Sequence, residues 1–524
     1  MARVVLIGLD GMDPALAERW MADGRLPNLD RLRREGSYLP CESVKPPVTF
    51  PAWTTCVTGV NPGKHGIFDF TTLVRGEHRL KFINSSHRRA PAVWNILSAA
   101  GKRVAVIGVP GTYPPEPING IMVSGFDSPV ATSVDRGCVY PPDRFDEVRH
   151  WRFADFQESH IGPGWHAKAL EKLHAKINDK EAILVRLLQQ EPWDFFMTVF
   201  GESDTVAHHF WLFHDPDSPR HLPGFEHSIR GIYERLDTAV GRLMASAGSG
   251  TTVMVVSDHG FGGSGTGVVH MNNWLAENGY LHFAPGRDSV LKKVALRAIP
   301  TRWRGALFRR MEGVATLAES RSRFAGIDWA RTTAWSEELN YFPTVRVNVQ
   351  GRDPYGLVPP EEYDDFCNTL CKDLMTWEAV AKAYRNDAIY HGPYVREAPD
   401  IIVELALENG YSHSCLRKRG GPPFRRLENR ELFGGKERGM TGNHRPMGVF
   451  FSSRQTPCGY ATLEDIAPSV LAEIGIAGPD MDGTSLFAAY TPSEDCAFAA
   501  APAAYSPDQE RQIEQRLRDL GYLE

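Results

Sequence analysis

The chain has 524 residues, 42% of them hydrophobic and 23% charged, with a formal net charge of -6. That balance describes a large globular protein with room for several domains and gives no case for a duplex nucleic-acid binder. No apolar run approaches the roughly 18 residues of a membrane span. The start, MARVVLIGLDGMD, lacks the basic leader and cleavage site of a signal peptide, and the eight cysteines are scattered without a CxxC pair, so a cytoplasmic protein with structural thiols is expected.

In chain order, Val4 to Gly8 is a continuous apolar run that reads as a central parallel strand delivering Asp10 at its C-terminal edge. Helical periodicity follows at Pro14 to Met21 and Pro27 to Arg34. In Lys45 to Phe70, Pro46 and Pro47 hold the approach extended, Thr49 is a good N-cap residue and Pro51 suits a first helical turn. A helix from about Phe50 to Thr58 is predicted, with its N-terminal amides facing any anion that Thr49 attacks. Pro91 to Ala100 reads as helix and Arg103 to Val109 as a buried strand. Residues 110 to 160, rich in Pro, Gly and Asp, read as a long irregular excursion.

Ala167 to Gln190 reads as a long helix leading into the strand Asp194 to Phe200, which ends in GESDTVAHHF. A helix at about Phe225 to Ala245 precedes the β-branched strand Thr251 to Val256, which ends in SDHGFGG. Three apolar strands thus end in acidic residues or histidine, and alternation of strand and helix predicts an α/β fold: a doubly wound, mostly parallel central sheet with helices on both faces. From Gly286 to Arg323 ten Lys or Arg residues stand against three acidic ones, as expected for a basic helical insertion acting as a lid or as a surface for an acidic partner. Strands are expected at Pro343 to Val349 and Ile401 to Leu405, a basic loop at 416–430, and core again at GNHRPMGVFF (442 to 451), followed by a helix at about Leu463 to Glu473. The boundaries read as 1–284 for the first part of the core, 285–330 for the insertion, 331–489 for the rest of the core and 490–524 for a linker and final helix.

Asp10, Asp204, Asp258, His208, His259 and His444, with the Thr49 hydroxyl, are enough to make two adjacent cation sites. Asp204 and His208 are four apart, on one helix face. The chemistry needs such ions because an alcohol attacks poorly near neutral pH until a divalent cation stabilises its alkoxide, while a second, about 4 Å away, neutralises phosphoryl oxygens and leaving group. Mixed nitrogen and oxygen ligation suits zinc, with manganese as a substitute.

GLDG at 8 to 11, TFPAWTTCVTGVNPGKHGI at 49 to 67, ESDTVAHH at 202 to 209, SDHGFGG at 257 to 263 and GNHRPMGVFF at 442 to 451 resemble, in order, the motifs of the alkaline phosphatase superfamily. The branch resembled is that of type I phosphodiesterases and nucleotide pyrophosphatases, including bacterial predicted phosphohydrolases. The resemblance implies that Asp10, Thr49, Asp258 and His259 surround one metal ion and that Asp204, His208 and His444 hold the other. It implies a phospho-threonine on Thr49 that water then hydrolyses. His209, His214 and His270 are expected to be structural.

The pattern departs from the nucleotide pyrophosphatases after HGIxD, where their asparagine amide is replaced by Phe70, which has no donor. Lys45, Lys64 or a lid residue would have to replace that contact, and Phe50 and Phe70 would offer apolar surface beside the nucleophile. The expected activity is a phosphohydrolase acting on small anionic phosphate esters or anhydrides, diesters first. A phosphomonoesterase or phosphomutase is the alternative within the superfamily. A sulfatase is disfavoured, because no CxPxR sequence surrounds Thr49. A catalytically silent anion- or membrane-binding protein is the rival of another class.

Overall fold

The computed structural model describes residues 3–74, 76–125, 134–151, 161–284, 324, 326–338, 342–435 and 438–493. The basic stretch 287–323 and the final helix expected at 508–520 lie outside the described residues.

The strands that position the site are β1 (Val4–Leu9), β2 (Ser37–Glu42), β3 (Val104–Val109), β4 (Gly120–Ser124), β5 (Val139–Tyr140), β6 (Phe195–Phe200), β7 (Thr252–Val256), β8 (Gly260–Val269), β9 (Gly442–Arg445), β10 (Met447–Ser452) and β11 (Ala461–Thr462). Nine of them form the central sheet in the order β11-β2-β10-β7-β1-β6-β3-β4-β5. β7, β1, β6, β3 and β4 run parallel to one another. β10 enters antiparallel between β7 and β2, so the β2 edge joins the parallel body only through this late strand.

Helices cover both faces: α1 (Pro14–Ala22), α2 (Pro27–Glu35), α3 (Thr49–Thr58), α4 (Val93–Ala99), α5 (Trp165–Gln190), α6 (Glu202–His214), α7 (Ser228–Ala247) and α8 (Ile466–Ile474). The pleat of β1 divides them. Val5, Ile7 and Leu9 pack into a core shared with α1, α2, α5, α6 and α7, whereas Val4 and Leu6 face the core shared with α3, α4 and α8. All six residues of β1 are buried, which is why the strand reads as an unbroken apolar run and not as alternation.

The excursion expected at 110–160 contains β4 and β5, which extend the sheet toward its edge; the surrounding Pro and Gly mask β4, and β5 has only two residues. Beyond β7 the chain leaves the central sheet. β8 pairs with β9, Tyr411–Cys415 and Phe424–Arg426, so the basic loop at 416–430 contains a short strand. Part of its charge is matched there: Arg425 pairs with Glu431 at 2.7 Å and Arg426 with Glu408. Residues Ala334–Trp335, Thr344–Val347, Ile401–Leu405 and Val380–Arg385 form a separate four-stranded sheet, backed by the helix Tyr363–Met375. Trp335, Val345, Leu370, Leu374 and Ile401 give this sheet its own core. Among the described residues no helix is long and apolar enough to cross a membrane, and the seven cysteines are unpaired.

Candidate active site

β1, β6 and β7 are adjacent and parallel, so the turns after them share one edge of the sheet, the place where open α/β sheets bind ligands. Asp10 leaves β1 there, Asp204 stands in the first turn of α6 after β6, and Asp258 and His259 follow β7. All four are buried to 2% exposure or less except Asp204, which is 13% exposed at its side chain.

Each of the two deepest carboxylates has one oxygen held by a neutral donor. Asp10 Oδ2 accepts from the Trp53 indole at 3.0 Å, and Asp258 Oδ1 accepts from the Gly11 amide at 3.2 Å. The His259 Nδ1 lies 3.0 Å from the Gly260 carbonyl, which can only accept, so Nδ1 carries the hydrogen and Nε2 presents a lone pair. That Nε2 is 3.5 Å from Asp10 Oδ1 and 3.3 Å from Asp258 Oδ2, and none of these three buried atoms has a hydrogen-bond partner. Three electron-rich atoms facing one point without a donor between them are a coordination geometry, since buried polar atoms are otherwise almost always paired.

The neighbouring cluster obeys the same rule. The Gly442 carbonyl takes the Nδ1 hydrogen of His208 at 2.9 Å, and the Pro47 carbonyl takes that of His444 at 2.7 Å. Both Nε2 lone pairs therefore face inward, only 3.0 Å apart and 3.3 and 3.2 Å from Asp204 Oδ1. Two imidazole lone pairs at that separation require a positive charge between them, either a proton or a metal ion. Asp10, Asp258 and His259 offer ligand atoms within 4.8 Å of one another, as do Asp204, His259 and His444, so the two groups abut through His259. Its ring stacks on that of His444 at 3.6 Å.

Burial, and then the negative charge of its neighbours, pushes Asp10 and Asp258 well above the ordinary carboxylate range. Burial works the same way on Asp204, yet His208 and His444 together pull it well below that range. Burial lowers His259 and His444, favouring the neutral imidazole that a metal needs.

Thr49 is the first residue of α3. Val48, extended at φ -107° and ψ 133°, occupies the cap position expected for Thr49, so the hydroxyl is not committed to capping the helix. The chain is fixed on both sides of it. Pro47 accepts from His444, and Trp53, one turn further along the same helix face, donates to Asp10.

The four residues expected to contact substrate have these surroundings. Phe50 and Phe70 pack ring to ring at 4.5 Å in an apolar cluster with Val48, Ile67 and Ile83, because both are large apolar side chains beside the turn that closes this segment. Phe342, contributed by the four-stranded module, packs against that cluster with its ring 6.1 Å from His444. Lys64 pairs with Asp482 at 2.5 Å, alongside Asn61 and His391. Lys45 is exposed, with its ammonium 5.4 Å from the Tyr384 ring centroid. His209 packs on Trp165, His214 on Trp20, and His270 Nδ1 faces the Leu416 carbonyl at 2.5 Å. Sequence reasoning missed Trp53 and the carbonyls of Pro47 and Gly442. Trp53 lies inside TFPAWTT, one turn from Thr49, which was a usable signal; a carbonyl is common to every residue and left none.

No curated protein matches the chain significantly in sequence. Among solved structures, phosphonoacetate hydrolase from Sinorhizobium meliloti 1021 in complex with phosphonoformate is similar at TM-score 0.52 and 16% identity, over 91% of this chain and 95% of that one. Murine ectonucleotide pyrophosphatase/phosphodiesterase 5, an inactive variant in complex with AMP, is similar at TM-score 0.51 and 11% identity, over 92% of this chain and 98% of that one. Its human counterpart gives TM-score 0.50 and 13% identity, over 92% and 97%. At these identities the likeness concerns the fold. The sequence family described as type I phosphodiesterase / nucleotide pyrophosphatase matches residues 4–436, most of the chain, and by that match the protein belongs to this family of phosphoester hydrolases.

Proposed function

We propose that the protein hydrolyses phosphate esters or anhydrides, diesters in preference, with Thr49 as nucleophile and two divalent cations held by Asp10, Asp258 and His259 and by Asp204, His208 and His444. The observation that carries this reading is the convergence of Asp10 Oδ1, Asp258 Oδ2 and His259 Nε2, buried and without a donor, beside two imidazole lone pairs 3.0 Å apart. The donor set, three imidazole nitrogens and three carboxylates, fits zinc, with manganese as a substitute. When bound, such ions lower the pKa of a coordinated hydroxyl and neutralise charge on a phosphoryl group.

The chain's own part is positional. The Nδ1 hydrogens of His208, His259 and His444 are held by carbonyls, which fixes each ring and its tautomer. Trp53 and Gly11 each restrain one carboxylate oxygen and leave the other directed inward. The first turn of α3 sets the Thr49 hydroxyl at a helix N-terminus, where the dipole favours an incoming phosphate.

Phosphomonoesters, or phosphoryl transfer to a second alcohol, are the alternative within the same chemistry. The test is elemental analysis of protein purified without chelator, together with turnover of a chromogenic diester, a monoester, a nucleotide anhydride and phosphonoacetate. Near two equivalents of zinc or manganese with fastest turnover of the diester is expected. Full activity in a metal-free preparation would sink the two-ion reading, and no turnover of any substrate by the loaded protein would favour a silent anion-binding protein.

A further inference from the structure

Arg220 lies in the turn after α6, 1% exposed, and among the described residues its guanidinium makes no hydrogen bond to a carboxylate. It donates to three backbone carbonyls: Nε to Leu432 at 3.1 Å, Nη1 to Met440 at 2.9 Å and Nη2 to Gly439 at 3.0 Å. Burying a guanidinium is unfavourable, and burial lowers its pKa to about 10 despite the favourable charge of Glu431. Its rigid fork of donors ties the three carbonyls together.

What it holds is the approach to His444. The clamped segment ends at Thr441, whose amide and hydroxyl both donate to the His208 carbonyl, at 3.0 and 2.8 Å. Gly442 then accepts the His208 Nδ1 hydrogen, and a Cβ on Gly442 would stand 2.4 Å from the Ala207 carbonyl, so the backbone passes directly against α6. On the other side, the turn bearing Arg220 is folded back on α6 through the Leu222 amide and the Leu212 carbonyl at 2.9 Å. Helix, turn, arginine and loop therefore form a closed ring containing both His208 and His444, whose Nε2 atoms it holds 3.0 Å apart.

We infer that Arg220 is a positioning residue for the Asp204, His208 and His444 cation site, acting on the separation of the two histidines and not on the Asp10, Asp258 and His259 site. The inference rests on the two-ion reading above, and the experiment separates the two. Zinc titration by calorimetry, with a competing chelator, is done on wild type, Arg220→Met, Arg220→Lys, Asp258→Ala and His444→Ala, and on Arg220→Met combined with Asp258→Ala or with His444→Ala. Two classes of zinc are expected in wild type; a single class or none sinks the two-ion reading itself. Arg220→Met should weaken one class by roughly ten- to a hundredfold, as loss of support behind a ligand does, and leave the other unchanged. The weakened ion should be the one that persists in Asp258→Ala, and adding Arg220→Met to His444→Ala should change nothing further. Arg220→Lys, which keeps charge and donors but not the fork, should fall between and decides the matter if the methionine variant is insoluble. Equal weakening of both classes in step with a lower melting temperature means a merely structural arginine, and two unchanged classes overturn the inference outright.

Discussion

The Thr49 side chain stands alone in its chemistry: it is the one hydroxyl in the proposed site placed at a helix start and relieved of capping. Thr49→Ala is expected to lose at least about a thousandfold in kcat while keeping both zinc equivalents, since the chain retains six other ligands. Thr49→Ser should keep measurable turnover, and wild-type rates in the alanine variant would mean that water attacks without it. Trp53→Phe preserves the buried ring but removes the donor to Asp10, so zinc affinity at that site should fall by about tenfold or more in a chelator competition. Phe70 belongs with packing: it is 8% exposed and lies against Phe50. Phe70→Asn should lower stability by about 3 kcal/mol or more in denaturant titration, by cavity formation and an unpaired amide. The ratio of diester to monoester kcat/KM should stay as in wild type; a change toward the monoester with an unchanged melting point would return Phe70 to the specificity role that the motif comparison suggested.

At the scale of elements, α5 carries a group that the proposed reaction does not use. Lys180 is 3% exposed, donates to the Val199 carbonyl and lies between the rings of Trp151 and Phe200, 4.8 and 4.9 Å from their centroids. Burial lowers its pKa to about 7. Between about pH 7 and the unfolded value near 10.4 the unfolded chain binds more protons than the folded one, so this group makes stability rise with pH. Below pH 7 the full penalty of a buried ammonium remains. Lys180→Met should therefore melt above wild type at pH 6, by an amount on the order of a few kcal/mol, with the gap closing toward pH 10; a gap independent of pH would show that the lysine's contacts outweigh its charge. The same elements show what can be read before folding. β1, β6 and β7 were legible because strands buried on both faces are continuous apolar runs, and their C-terminal acids followed directly. β4 and the two-residue edge strand β5 were not, because they lie in a Pro- and Gly-rich stretch. Arg220 was not legible either, since an arginine whose side chain donates to the carbonyls of Leu432, Gly439 and Met440 leaves no spacing to recognise.

For the whole molecule, the proposed cations would couple metal binding to stability. Asp10 and Asp258 are buried beside the negative charge of other carboxylates, and a cation that binds only the folded chain adds RT ln(1 + [L]/Kd) to its stability. Chelator-stripped protein is expected to melt lower than protein in zinc at a thousandfold excess over Kd, by an amount equivalent to about 4 kcal/mol. An unchanged melting temperature after verified removal would deny the site its cations.

The wedge made by β10 has a consequence for how the chain is made. Residues 447–452 are the seam between β2 and β7, and they are translated long after both of those strands. Until then, a chain emerging from the ribosome has Thr252–Val256 as an open flank, with Ser37–Glu42 unable to pair on the side that β10 will take. His444, three residues ahead of the wedge, arrives at the same moment. Asp10, Thr49, Asp258 and His259 are all translated far earlier, so the growing chain can assemble one of the two proposed cation pockets while the other waits for the strand that closes the sheet.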